Sequence, residues 1–432
     1  MAPKKKESIE EDDLVVEKTK EEIEKQLEEV EKVMDFNLSD LEGIGAVRLK
    51  QLNNFGIFKA EDLLIRGANE LAGLLEMTSD KTQKMIDNAR DYLEQHDVVG
   101  KAVIDGLSLL NYRTEKIKYL QTGASNLDEA LGGGFETGVI TELYGLDGSG
   151  KTQLCLLSSI LAQLPIKKEC FECHEQFDDS ELKRCPKCNV KLESKGGGLS
   201  LPGKPCKVIY MDTENSYRPD RVLTIIKERG LVKTKPQSIT EEKRGDEKEF
   251  LNEEEKQKAY DFIRNTMVMK PVNAYHQYMM GQKLVKYIEE DKEKEVRLIV
   301  IDSLTNHFRL DYAGRGELSN RQVTLNQHIK HISRLAEYKN IVILVANQVQ
   351  QDLSMLGFGD KTKPIGGTTM GHVLTHRIYL KKSGNKGKII AILVDSPNHA
   401  KTEGVLSLTK KGIENAEGSS NLTKKGIENE EE

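Results

Sequence analysis

Short apolar runs, separated mostly by stretches with helical spacing of apolar residues, dominate the chain from Gly123 onward. Val139–Tyr144, Val208–Met211, Leu298–Ile301, Ile341–Ala346, Arg377–Leu380 and Ile389–Val394 have the length and composition of strands buried on both faces. They predict a doubly wound, mostly parallel α/β core over residues 123–413. The amino-terminal part reads differently. Residues 1–36 are charged and nearly free of aromatics; Leu14 to Met34 has the spacing of a lone amphipathic helix, with an unstructured tail as the alternative. In residues 37–97, Leu41-Glu-Gly43-Ile-Gly45 is followed by Ala46 to Leu52, Phe55-Gly-Ile57 and Ala60 to Leu64. That pattern predicts a small all-α domain of short helices joined by a glycine turn. In a helix-hairpin-helix, such a turn aims backbone N–H groups at a DNA phosphate, so Gly43 and Gly45 are candidate DNA contacts. An ordinary helical turn is the alternative. Residues 98–122 read as a linker.

Two segments interrupt the core pattern. Residues 165–206 hold two cysteine pairs and three consecutive glycines, and residues 232–260 are dominated by Lys and Glu, as in a solvated insertion. At the carboxyl end Leu408-Thr-Lys-Lys-Gly-Ile-Glu-Asn415 returns unchanged as Leu422 to Asn429. Two copies are too few for a solenoid and read as a duplicated tail.

Charge changes the picture only when divided along the chain. The net charge of −6 over 432 residues, taken whole, does not suit a DNA binder. Residues 1–36 carry 13 acidic against 7 basic side chains, and residues 414–432 carry 6 against 2, which leaves residues 37–413 at +4. The acidity sits in the tails, and the body is compatible with a polyanionic partner. No run of 18 apolar residues exists, and no apolar stretch follows the amino-terminal lysines, so neither a membrane-spanning helix nor a secretory signal is expected.

The chemistry concentrates in a few motifs. Gly145, Leu146, Asp147, Gly148, Ser149, Gly150, Lys151 and Thr152 match G-x-x-x-x-G-K-[ST], between the run Val139–Tyr144 and a helical pattern that opens at Gln153. Such a loop cradles phosphates on backbone N–H groups; Lys151 would meet the β- and γ-phosphates of ATP, and the Thr152 hydroxyl would bind Mg²⁺. Asp302 ends an apolar strand, where an acid can orient the hydrated metal. Glu214 follows another strand, where a carboxylate can polarise the attacking water or simply serve as a structural acid. Cys170-Phe-Glu-Cys173 and Cys185-Pro-Lys-Cys188 have the spacing of two knuckles for one tetrahedral Zn²⁺ in a reducing compartment; a redox dithiol pair and an iron–sulfur cluster are the alternatives. With four thiolates such a zinc is structural. Cys155 reads as core.

The order of these motifs resembles the RecA/RadA family of DNA strand-exchange ATPases, specifically its archaeal RadA branch. The resemblance rests on the phosphate loop, Asp212-Thr-Glu-x-x-x-Arg-Pro-x-Arg221, Leu298-Ile-Val-Ile-Asp302-Ser and Tyr312-Ala-Gly-Arg-Gly-Glu-Leu-Ser-Asn-Arg-Gln322. It rests equally on Ala346-Asn-Gln348-Val, Pro364-Ile-Gly-Gly367 and Val394-Asp-Ser-Pro397. It covers roughly residues 37–415 apart from the two insertions. It implies that Glu214 is the catalytic carboxylate and that Gln348 and His372 sense the γ-phosphate. Asp395 and Pro397 form a cap that a neighbouring subunit places over ATP, and Arg221 lies on the adenine's other face. It assigns DNA contacts to Arg309, Arg315 and Arg321 in a first loop, about 308–321, and to Lys361 and Lys363 in a second, about 350–367. Long cations in glycine-rich loops suit a phosphate backbone held without sequence preference.

Three positions in two motifs depart from the family pattern. Asn215 stands where the family has Gly, and Ile104 and Leu107 stand where its linker has Phe-x-x-Ala, the plug for the next subunit. The resemblance implies a cytoplasmic, nucleoid-associated, DNA-dependent ATPase. Its partners are single- and double-stranded DNA and further copies of itself, in filaments or rings, with no membrane. Its activity is homologous pairing and strand exchange. Two rivals remain: a hexameric RecA-fold DNA motor and a recombinase paralogue that regulates filament loading.

Overall fold

A computed structural model describes residues 38–95, 105–169, 172–173, 176–177, 184–189, 193–201, 203–235, 250–284, 287–288, 295–312, 314–351, 362–366, 370–384 and 387–416. The charged tail 1–36 and the second copy of the repeat lie outside these residues. The chain divides into two compact units, residues 1–100 and 101–432.

The first unit is helical: α1 (Ala46–Asn54), α2 (Ala60–Ile65), α3 (Ala68–Leu75) and α4 (Ser79–Gln95). α4 buries Thr82, Met85, Ile86, Ala89 and Leu93, the spacing of one helical face. α4 packs on α2 and α3, and Leu52, Ile57, Leu63 and Leu71 of this unit are fully buried. Asp62 fixes the start of α2 by accepting from the backbone N–H groups of Phe58 and Lys59. In the glycine turn Gly43 has φ +86°, and Gly45 is the residue from which α1 starts.

The second unit is built on a nine-stranded sheet. Its strands in chain order are β1 (Ile140–Tyr144), β2 (Lys207–Asp212), β3 (Thr266–Met269), β4 (Val296–Asp302), β5 (Val342–Asn347), β6 (His376–Lys382), β7 (Lys388–Asp395), β8 (Thr402–Thr409) and β9 (Gly412–Asn415). Their spatial order is β3-β2-β4-β5-β1-β6-β7-β8-β9; the first six are parallel and the rest antiparallel. Every residue of β1 and β5 is buried, so their sequences are mostly apolar, interrupted by Thr141, Glu142 and Asn347. The other helices are α5 (Gly106–Lys116), α6 (Ser125–Ala130), α7 (Lys151–Leu161), α8 (Pro219–Glu228), α9 (Glu253–Arg264), α10 (Ala274–Gln282), α11 (Asn306–Asp311) and α12 (Leu318–Lys339).

Sheet order decides where a ligand can sit. From β1 the chain crosses to β2 on one side, while β6 flanks β1 on the other, so the carboxyl end of β1 is a topological switch point. Register aligns Tyr144 with Asn347, and Asp302 with Ala346 and Asp212, along that same edge.

Three regions differ from the sequence expectation. β3 and the β8–β9 hairpin extend the sheet beyond the six expected strands; β9 consists of Gly412–Asn415 and so reaches two residues past 413. The first copy of the repeat closes this hairpin, with Ile413 buried in the core. Within the charged segment 232–260, the described residues from 250 onward form a short ribbon strand and α9, and Ala259 is fully buried. The cysteine-bearing segment carries a three-stranded antiparallel ribbon, Ile166–Glu169, Gln176–Phe177 and Glu193–Gly197. Leu199 and Cys206 then return the chain to the core.

Candidate nucleotide site and DNA-facing loops

The phosphate loop, residues 145–150, leaves β1 and enters α7 through Gly150 at φ +99°. The turn and the α7 amino terminus have the form of a phosphate-binding loop. Lys151 is buried and donates to the carbonyls of Gly145 (2.8 Å) and Leu146 (3.1 Å). Burial holds its ammonium below the usual lysine range, opposed by the charges of Asp147, Asp302 and Glu214. The Ser149 hydroxyl is buried with no hydrogen-bond partner among the described residues. An orphaned donor in the middle of a phosphate loop is what a bound phosphate oxygen would satisfy, so the residues present fit a nucleotide.

Asp302 and Glu214 share this edge. Asp302 is buried and accepts from the Tyr210 hydroxyl (2.9 Å) and the Ser216 hydroxyl (3.2 Å). Burial raises its carboxyl above the usual aspartate range, while hydrogen bonds from Thr152, Tyr210 and Ser216 pull the other way. A dication beside it and the Thr152 hydroxyl would favour the ionised carboxylate. Glu214 Oε1 accepts from Ser303 Oγ (2.6 Å) and from Gln348 Nε2 (2.9 Å). Gln348 Oε1 in turn accepts from the exposed Arg309. An exposed cation of the first loop is thus linked through one amide to the candidate catalytic acid.

Asn215 has φ +53°. This is the left-handed region that glycine occupies freely and asparagine tolerates best among the rest, so the departure from Gly has a backbone reason. Arg221 is fixed by Gln153 Oε1 (2.8 Å) and by the carbonyls of Thr409 (2.7 Å) and Lys410 (2.8 Å) in the β8–β9 turn. It therefore stands beside the first turn of α7.

A buried polar cluster beneath the loops went unread in the sequence. Glu142 is fully buried in β1, between Arg377 Nε (2.8 Å) and Asn347 Nδ2 (2.7 Å). Asn347 also donates to Ile365 O (2.7 Å) and accepts from Thr305 Oγ1 (2.7 Å) and Gln348 N (2.9 Å). Ile365 N meets Gln348 O, and Gln322 Nε2 meets Gly366 O. These bonds close the base of the second loop and tie it to the helix after the first. The available signal was a charged or amide residue inside an otherwise apolar strand run.

The remaining candidates divide by place. Arg321 is half-buried in the first turn of α12, and Lys363 is exposed on the short strand Thr362–Pro364. Arg315 lies in a 3₁₀ turn, Arg315–Glu317, of which only the backbone is described, and Lys361 lies outside the described residues. His372, Asp395 and Pro397 are exposed. Asp395, the last residue of β7, pairs with Arg377 at the start of β6, so it sits toward the amino edge of the parallel strands, away from the phosphate loop of its own chain. His372 lies in the segment that leads into β6. Leu107 on α5 is 67% exposed, and Ile104 lies outside the described residues.

In the ribbon segment the sulfurs of Cys173, Cys185 and Cys188 all lie within 4.8 Å of one another. Cys188 N donates to Cys185 Sγ (3.4 Å), a contact that favours the thiolate. This donor set fits a thiolate metal. Cys170 lies outside the described residues.

A parallel sheet with its phosphate loop at the switch point, an amide after the adjacent strand β5 and an acid at the end of the next strand, β4, define a RecA-type P-loop core. The Rad51 family matches residues 113–195 and 247–416, and the chain belongs to that family. Over 385 residues it is 34% identical to the DNA repair and recombination protein RadA of Cenarchaeum symbiosum (strain A), covering 89% of this chain and 80% of that protein. Over 383 residues it is 32% identical to the DNA repair and recombination protein RadA of Halobacterium salinarum (strain ATCC 29341 / DSM 671 / R1), covering 87% of this chain and 98% of that protein. The interval between the two family matches contains β2, Glu214 and Arg221. No helix among the described residues is long and apolar enough to cross a membrane.

Proposed function

We propose that this chain is a DNA-dependent ATPase that assembles on single-stranded DNA and catalyses homologous pairing and strand exchange in recombination and repair. The observation that carries the reading is the bridge of Gln348 between Glu214 and Arg309. It gives a DNA-facing cation a mechanical connection to the hydrolytic acid.

Bound Mg²⁺–ATP supplies the phosphoryl group to be cleaved. The chain's own groups hold and polarise. The N–H groups of residues 148–152 and the Ser149 hydroxyl hold phosphate oxygens. Lys151 exchanges its loop carbonyls for phosphate, and Thr152 with Asp302 holds the Mg²⁺ side. Ser303 and Gln348 both engage Oε1 of Glu214, so Oε2 is the oxygen that takes the proton of the attacking water. Arg221 flanks the base.

Asp395 and Pro397 stand at the wrong edge to serve their own loop, which supports a cap delivered by a neighbouring copy, with His372 as its γ-phosphate sensor. The exposed Leu107 and Leu110 of α5 support such an assembly. Arg309, Arg315, Arg321, Lys361 and Lys363 contact single-stranded DNA, and Gly43 and Gly45 contact the duplex. Cys170, Cys173, Cys185 and Cys188 hold one structural Zn²⁺, the staple that a segment of this size needs. The protein works in the cytoplasm at the nucleoid. Electron microscopy of the chain with single-stranded DNA and a non-hydrolysable ATP analogue tests the reading. Helical filaments agree with it; closed hexamers point to a motor and short heteromeric clusters, formed with a partner, to a loading factor.

A further inference from the structure

The β6–β7 hairpin walls the phosphate loop at three of its glycines. A Cβ at Gly145 would lie 2.1 Å from Leu380 O, one at Gly150 would lie 2.6 Å from Ile389 Cδ1, and one at Gly148 would lie 2.9 Å from Lys382 Nζ. The first two contacts are backbone and apolar packing. The third brings a charge to the tip of the loop. Lys382 is the last residue of β6, paired in register with Ile389, so its base is fixed by the same hairpin that packs against Gly150. Its side chain is exposed, and no ion pair holds it among the described residues.

The charge balance of the site makes that placement consequential. Around the loop, Lys151 stands against the three carboxylates of Asp147, Asp302 and Glu214. A magnesium-bound triphosphate is itself anionic, so its entry adds negative charge to a site already short of cations. Gly148 has no side chain to keep Lys382 away from the space in front of the loop.

We infer that Lys382 is a second cationic contact for the phosphate chain of the nucleotide, acting from β6 opposite Lys151. The inference rests on the nucleotide reading of the loop. It predicts a contribution that is mainly electrostatic and therefore sensitive to salt, unlike a packing contribution.

Binding of Mg²⁺–ATP to the full-length protein by titration calorimetry, at low and at high ionic strength, tests it. At low salt Lys382→Ala should raise Kd on the order of tenfold, as expected for one partly screened charge near phosphate. Lys382→Arg should bind as the parent does, and the deficit of the Ala variant should shrink at about 1 M salt. Turnover at saturating ATP should change much less than Kd. An unchanged Kd in Lys382→Ala, or an equal loss at both salt concentrations, would overturn the inference. Lys151→Ala serves as the reference: loss of ATP binding there with normal binding in Lys382→Ala rejects only the Lys382 contact. Parent-like ATP binding in Lys151→Ala rejects the nucleotide reading itself.

Discussion

Replacing Arg377 by Met isolates the buried charge on which the second loop rests. Met retains apolar bulk over Tyr144, whose ring lies 5.7 Å from the guanidinium carbon, and removes the cation from a carboxylate with no solvent exposure. Breaking a buried pair from one side leaves an uncompensated charge and costs about 3–5 kcal/mol. The pH dependence fixes the cause. Burial raises the Glu142 carboxyl above the usual glutamate range, with Arg377 and Asn347 holding it down. Without Arg377 the carboxyl rises further, so the folded state binds a proton more readily than the unfolded state does. Stability is then lost as pH rises from the ordinary glutamate range up through the raised pKa of the folded state, and the deficit of Arg377→Met disappears in acid, where both states are protonated. The double variant Glu142→Gln with Arg377→Met should regain about 2 kcal/mol or more over Arg377→Met alone, because no buried charge remains. Urea unfolding followed by circular dichroism at several pH values measures the parent and both variants. A pH-independent deficit, or no recovery in the double variant, would show that Arg377 acts through packing and not through charge.

Other variants probe the chemistry. Glu214→Gln keeps an acceptor for Ser303 and Gln348 but removes the base, so ATP should bind normally while turnover falls about 10²- to 10⁴-fold; near-parent turnover would remove Glu214 from its role. Changing Arg315 and Arg321 to Ala should weaken single-stranded DNA binding and lower the slope of log K against log salt by about 1.4. An unchanged slope would place the DNA path elsewhere. Elemental analysis should find about one zinc per chain, lost when Cys185 and Cys188 become Ser, with ATP binding retained; iron, or a folded protein free of metal, would exclude the assignment.

What could be read from the sequence follows from where the physical constraint is local. The phosphate loop was legible because its glycines, lysine and hydroxyl are contiguous and flanked by a strand and a helix. The six expected strands were legible because burial on both faces leaves a mostly apolar run. β3 was not, since Thr266 and a half-buried exterior face dilute the signal at the sheet edge. β8 and β9 were not, since they pair antiparallel with one side partly open, so polar residues interrupt them. α9 hid inside a Lys- and Glu-rich stretch because only one face is covered; Ala259 and Glu255 are its buried residues. Ser303, Asn347 and Arg377 are joined to the site by contacts across distant strands, which no spacing rule reveals. The Gln153–Arg221 bond joins residues 68 apart. Their roles emerge only once the sheet order is known.

Strand transfer between a labelled single strand and its homologous duplex tests the central claim most directly. Parent protein with Mg²⁺ and ATP should transfer the strand, dependent on homology, and Lys151→Ala should not. Protein that binds single-stranded DNA and hydrolyses ATP yet transfers no strand under those conditions would contradict the account.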